Sequence, residues 1–180
     1  MLPPDPDVPL GAVVALSEFE QQLCRLVSDA RCAVNRGNGV ADQLVGGAPG
    51  VGDGSASLNG IGAEWAFCRL FNVYPDTTIH PRSSRRGTDA GGDCRLRCGL
   101  SVDVKVTEWP RGGLLVVRWK GRGADLYALL TGRFPRYVFR GFAPADLALA
   151  PGRVSEAHRG GFMTPQADLM RLSRVMLEAS

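Results

Sequence analysis

At 180 residues, 44% hydrophobic and 22% charged, the chain has the size and composition of one soluble globular domain with a core of its own. A net charge of only +3 excludes a global basic field, so any nucleic-acid surface has to be a local patch. No apolar run approaches the ~20 residues of a membrane span, and the start "MLPPDPDVPL" lacks the basic and apolar parts of a signal peptide.

Four prolines in the first ten residues make 1–16 a flexible N-terminal arm. Ser17 is a candidate N-cap, with Glu18 and Glu20 in the first turn, where the helix dipole favours acid. Phe19, Leu23, Leu26, Val27, Ala30 and Val34 recur at helical spacing up to about Arg36, and Gly37 is a natural stop. The remainder of 17–57 is a long Gly-rich loop. A second helix over 58–72 opens the core segment, 58–150. Its residues Ile61, Trp65, Cys68, Leu70 and Phe71 suit a buried face, and Glu64 lies near its first turn. "TTIHP" (77–81) is a candidate short strand, and "PRSSRRGTDAGG" (81–92) a basic loop. A hairpin follows. Leu114–Val117, 125–130 and 137–142 read as further strands, the last two joined by a turn at Gly132. Pro144 opens a short helix. In the C-terminal segment 151–180, Thr164 and Pro165 look like the N-cap and first position of an amphipathic helix carrying Leu169, Leu172, Val175 and Met176.

The hairpin carries the chemistry. The chain has two lysines, and one of them, Lys105, sits inside an apolar strand two residues after Asp103. Leu100, Val102, Val104 and Val106 share one face; Ser101, Asp103, Lys105 and Thr107 share the other. Paired residues must share a face, which selects a three-residue turn, Arg97-Cys98-Gly99, with glycine at the left-handed position. That register pairs Leu96 with Leu100, Cys94 with Val102, and Asp93 with Asp103. Two opposed carboxylates repel, and Mg²⁺, which takes one or two carboxylates and completes its shell with water and phosphate oxygens, relieves that repulsion. Lysine suits the neighbouring position because its proton is mobile when buried; arginine's is not. The bare spacing D-x₉-D-x-K also arises on solvated hairpin faces, so context has to support it.

The order helix with Glu64, then Asp93, then Asp103-Val104-Lys105 resembles the PD-(D/E)XK nuclease superfamily over roughly 58–142. The stretches "GAEWAFCRLFNVYPD", "DLYALLTG" and "YVFRGFA" are similar to small nuclease-like proteins of bacteriophages. The resemblance implies an α/β, restriction-endonuclease-like single domain, with a central mixed sheet flanked by helices. It implies a Mg²⁺-dependent deoxyribonuclease, Mn²⁺ able to substitute, with catalytic Glu64, Asp93, Asp103 and Lys105. Asp93 and Asp103 would hold the metal, Glu64 would orient it or help a second one, and Lys105 would serve the attacking water. Gly92 stands where the family has proline, Asp89 is a rival for Asp93 that the register disfavours, and no helix is legible in 108–124 where the family carries one.

Arg82, Arg85, Arg86, Arg118, Lys120 and Arg122 flank this site as candidate DNA-backbone contacts, which position without reading sequence. Five cysteines without a CxxC pair argue against a disulfide framework and a zinc ribbon. The implied setting is the cytoplasm of a bacterial host, with DNA as partner, no membrane, and a homodimer left open. Two other classes stand beside the nuclease: a nucleic-acid-binding module of the same fold without catalysis, and a structural or assembly protein.

Overall fold

Ser17 starts the first helix through a reciprocal pair of bonds: its Oγ accepts the Glu20 N–H at 3.3 Å, and Glu20 Oε2 accepts the Ser17 N–H at 2.7 Å. Two otherwise unmet donors are satisfied at once. Glu20 also meets Arg69 Nη1 at 3.0 Å, and Arg69 donates to the Ala15 carbonyl at 2.9 Å. These contacts lock the first turn of helix α1 (Glu18–Gly37) to the last turn of helix α2 (Asp53–Phe71). The computed structural model that gives these contacts describes residues 4–37, 53–79, 92–117, 123–158 and 160–178.

The strands are β1 (Val13–Ala15), β2 (Cys94–Arg95), β3 (Ser101–Thr107), β4 (Leu114–Val116), β5 (Leu126–Arg133), β6 (Arg136–Pro144), β7 (Val154–Ser155) and β8 (Gly161–Thr164). Five of them make a mixed sheet in the order β1-β6-β5-β3-β2, in which β3 and β5 are parallel and every other pair antiparallel. A small antiparallel sheet has the order β4-β8-β7. The short helices α3 (Ala145–Ala148) and α4 (Leu172–Glu178) complete a single α/β domain. Among the described residues no helix is long and apolar enough to cross a membrane.

The large sheet buries both faces. On the first, Val102, Val104, Leu126, Ala128 and Leu130 pack with Cys24 of α1 and Phe67 and Phe71 of α2. Phe67 and Phe71 stack at 4.5 Å between ring centres and meet Phe139 and Phe142 of β6 edge-on or tilted. Phe139 and Phe142 are three apart, so strict alternation would put them on opposite faces. The pairing register shifts at Leu129/Leu130, and Gly141 takes φ 129°, which returns Phe142 to the helix side. On the second face, Leu114 and Val116 of β4 cover Tyr127, Leu129 and Ala143, with Ala148 and Leu169 beside them.

Several expectations need correcting. The N-terminal arm is docked rather than trailing. Asp5 accepts the N–H groups of Arg97 and Cys98 at 2.8 Å each, Val8 is buried, and β1 pairs with β6. Helix α2 begins at Asp53, inside the stretch read as loop. Thr77, Thr78 and Ile79 form no strand, and His80 and Pro81 lie outside the described residues; Arg31 of α1 holds the segment by its carbonyls, at Asp76 (2.8 Å) and Thr78 (3.1 Å). Gly132 lies within β5, and the chain turns at Phe134-Pro135. Thr164 ends β8 instead of capping a helix, because it pairs with Leu114; a 3₁₀ turn follows, and α4 starts at Leu172. Residues 108–124 need no correction: among those described there is the expected strand, at Leu114–Val116, and no helix.

Candidate functional site

The hairpin β2–β3 takes the register that face-sharing demands. Cys94 pairs with Val102 and Arg95 with Ser101. Leu96 N–H donates to the Leu100 carbonyl at 2.9 Å, Gly99 N–H to the Leu96 carbonyl at 3.0 Å, and Gly99 has φ 95°. The loop is the three-residue turn 97–99. Leu96 is buried and Leu100 packs against the same core, while Arg95 is exposed. Ser101, on the opposite side, is buried against Asp125.

Asp93 departs from plain opposition to Asp103. Strand β2 is only two residues long, and Asp93 lies in a bend just before it, after Gly92 at φ 73°. Its N–H donates to the Val102 carbonyl at 2.7 Å, and its Oδ2 accepts the Val104 N–H at 2.6 Å. The carboxylate therefore lies along the outer edge of β3, taking the donor that another rung of the ladder would have satisfied. Asp103 and Lys105 lie on the second face of β3, and the Lys105 ammonium rests on Asp103 Oδ1. Glu64 arrives from α2, on the helix side, where Arg31 Nη1 stands 3.5 Å from its Oε2.

These four groups feel one another. Burial pushes the Glu64 carboxyl above the ordinary range; Arg31 and Lys105 pull it back, and Asp103 pushes further. Asp93 stands well above the ordinary carboxylate range, first through burial, then through the charges of Glu64 and Asp103, against relief from Lys105 and the Val104 N–H. Desolvation plus like charges is the pattern of a functional carboxylate cluster. The corner thus stores proton affinity that a cation would displace.

The donors suit a hard divalent cation. Asp93 and Asp103 supply the one or two carboxylates that Mg²⁺ takes from a protein, with water and phosphate oxygens for the rest. Among the described residues no three His, Cys, Asp or Glu side chains are placed to hold a metal unaided. The corner fits an open site with two carboxylates and does not form a closed cage.

Two groups at this corner escaped the sequence reading. Arg31 lies beside the apolar stripe of α1, and only the packing of α1 on α2 brings it to Glu64. Tyr127, inside an apolar run, is the strand neighbour of Asp103; burial and the Asp103 charge push its hydroxyl up to about 12. Cys94 and Cys98 are the core and turn residues expected of them: Cys94 packs against the core and Cys98 is exposed at the turn. The Cys68 thiol of α2 hydrogen-bonds with Cys94, which with burial raises it far above the ordinary thiol range. Asp89 and the candidate DNA contacts Arg82, Arg85, Arg86, Arg118, Lys120 and Arg122 lie outside the described residues.

Fold and site together define an α/β protein with an acidic corner, one lysine among its carboxylates, at the edge of a mixed sheet. The chain belongs to a family of unknown function (DUF5843), which it matches over residues 6–179. No curated protein and no solved structure matches it.

Proposed function

We propose that this protein is a metal-dependent nuclease hydrolysing DNA phosphodiester bonds on a restriction-endonuclease-like fold, in the cytoplasm of a bacterial host. One observation carries the reading: Glu64, Asp93, Asp103 and Lys105, from a helix, a bend and a strand, lie near enough for their charges to act on one another, and burial and mutual repulsion hold two of the carboxyls above their ordinary range. A purely structural role gives no reason to gather them so. The resemblance in motif order points the same way, as analogy.

Asp93 and Asp103 would hold the cation, with Glu64 orienting the site. Mg²⁺ bound there supplies neutralisation of the scissile phosphate and a more acidic attacking water. Lys105 has its own part. In the metal-free protein its ammonium rests on Asp103 Oδ1; with a cation on that carboxylate it would turn to hold the attacking water and pass a proton. Asp93 is held by the Val104 N–H, so its orientation is set before substrate arrives. Arg31 restrains Glu64 from the helix side.

The test is cleavage of supercoiled plasmid and linear duplex DNA with Mg²⁺ or Mn²⁺. The reading expects cleavage that chelator abolishes and Asp103→Asn removes. Absence of cleavage of duplex and single-stranded DNA alike, by folded protein with either metal, overturns it. A second reading, a DNA-binding module without catalysis, draws on Lys105 spending its charge on Asp103. It expects retention of DNA in a mobility-shift gel with no cleavage and no dependence on divalent metal.

A further inference from the structure

Strand β5 runs parallel to β3 with Tyr127 paired to Asp103, and the alternation of both strands places the two residues on the second face of the sheet. Tyr127 is fully buried among Leu114, Val116 and Leu129. Among the described residues its hydroxyl has no hydrogen-bond partner. A buried tyrosine hydroxyl ordinarily finds one, and stranding a donor in an apolar layer is costly. Phenylalanine would fill the same space without that cost.

Asp103 is the acceptor in need of such a donor. In this state one of its oxygens holds the Lys105 ammonium. A divalent cation held by Asp103 would repel Lys105, and the carboxylate would then lose the contact that fixes its orientation. Two other buried side-chain atoms lack partners among the described residues, Trp65 Nε1 and Thr164 Oγ1. They stand on α2 and β8, whereas Tyr127 is the direct strand neighbour of Asp103.

We propose that Tyr127 is a positioning residue for the metal site: its hydroxyl donates to Asp103 when Lys105 releases that carboxylate, and holds it for the cation. The inference rests on the metal-site reading above. Outer-shell donors of this kind typically govern metal affinity by about 10–100-fold.

Tyr127→Phe tests it, with Mn²⁺ titrated calorimetrically into the full chain of the wild type, Tyr127→Phe and Asp103→Asn. The expected result is Mn²⁺ binding at least about 10-fold weaker in Tyr127→Phe. The metal-free thermal midpoint should be unchanged or raised by ~2–4 °C, because a stranded hydroxyl has gone. Wild-type affinity in Tyr127→Phe, with binding lost in Asp103→Asn, overturns the inference and leaves the metal site standing. A silent wild type removes the metal site and the inference together. A lowered midpoint in metal-free Tyr127→Phe also overturns it, since the hydroxyl would then be serving the fold alone. A second measurement leaves the backbone unaltered. The chain has three tyrosines, and with fluorotyrosine incorporated the Tyr127 resonance is assigned by its loss in Tyr127→Phe. Mg²⁺ should shift it in the wild type and not in Asp103→Asn; an unmoved wild-type resonance under saturating Mg²⁺ overturns the proposal.

Discussion

Asp125 and Asp93 reach the backbone of the same strand from its two sides, and the protein treats them in opposite ways. Asp125, at the start of β5, accepts the Ser101 N–H at 2.8 Å and the Ser101 hydroxyl at 2.7 Å. Those bonds, the hydroxyl's first, hold it below the ordinary carboxylate range, and no acid is among the groups that shift it. Asp93, just before β2, accepts one N–H, is half-buried, and feels the charges of Glu64 and Asp103. A carboxylate that serves the fold is surrounded by donors and stays ionised. One gathered with other acids is compensated only in part and is held above its ordinary range, a repulsion that the proposed cation would relieve.

The largest effect separating the two ends of this comparison is on cleavage. Lys105→Arg and Lys105→Ala should each lose about 10²–10⁴-fold in DNA cleavage with Mn²⁺, since arginine keeps the charge but not a mobile proton. Asp125→Ala should keep full cleavage per folded molecule. Full activity in Lys105→Arg would detach the lysine from any proton transfer.

Stability should show the reverse. Asp125→Ala, which strands the Ser101 N–H, should cost about 1 kcal/mol, the worth of an ordinary hydrogen bond and less than that of a charged one because Asp125 is exposed. Asp93→Asn should leave the metal-free protein equally stable or more stable at neutral pH, as it removes one of the repelling charges. Urea unfolding of both variants checks the pair. A clear loss of stability in Asp93→Asn would contradict the claim that Asp93 is under strain from its neighbours.

The smallest effect is in pH. Glu64 and Asp93 have raised proton affinity in the folded state, so their contribution to stability is present at low pH and lost as pH climbs from the ordinary carboxylate range, about 4, through their folded pKa values. Asp125 is lowered, so its contribution is present above that range and lost on acidification. The thermal midpoint of the metal-free protein should fall as pH rises from mildly acidic to neutral, and Asp93→Asn should flatten that fall. An equally steep fall in Asp93→Asn would place its source elsewhere.

Much of the hairpin was legible from alternation alone. Val102 and Val104 against Asp103 and Lys105, with Gly99 to close the turn, leave one register that keeps apolar residues together. Ser17 and Glu20 likewise announce the start of α1, because a cap is local chemistry. What escaped was set by partners distant in sequence. Asp93 bends inward to reach a backbone N–H of Val104 that the short edge strand leaves open, a need no residue pattern displays. Arg31 and Tyr127 join the corner through helix packing and a parallel strand pairing. Thr164-Pro165 carries a sound local helix signal, overridden by the pairing of β8 with β4. Residues 53–57 lack periodicity and are nonetheless the first turn of α2, a helix whose later residues pack against the sheet.

The central claim is that Asp93 and Asp103 together hold a divalent cation. Electron paramagnetic resonance of Mn²⁺ titrated with protein at neutral pH measures this directly, since the six-line signal of free Mn²⁺ fades as the ion binds. The signal should fall saturably with wild-type protein, and the fall should be lost or strongly weakened in both Asp93→Asn and Asp103→Asn. A signal that wild-type protein leaves unchanged, or that both variants quench as the wild type does, would contradict the claim.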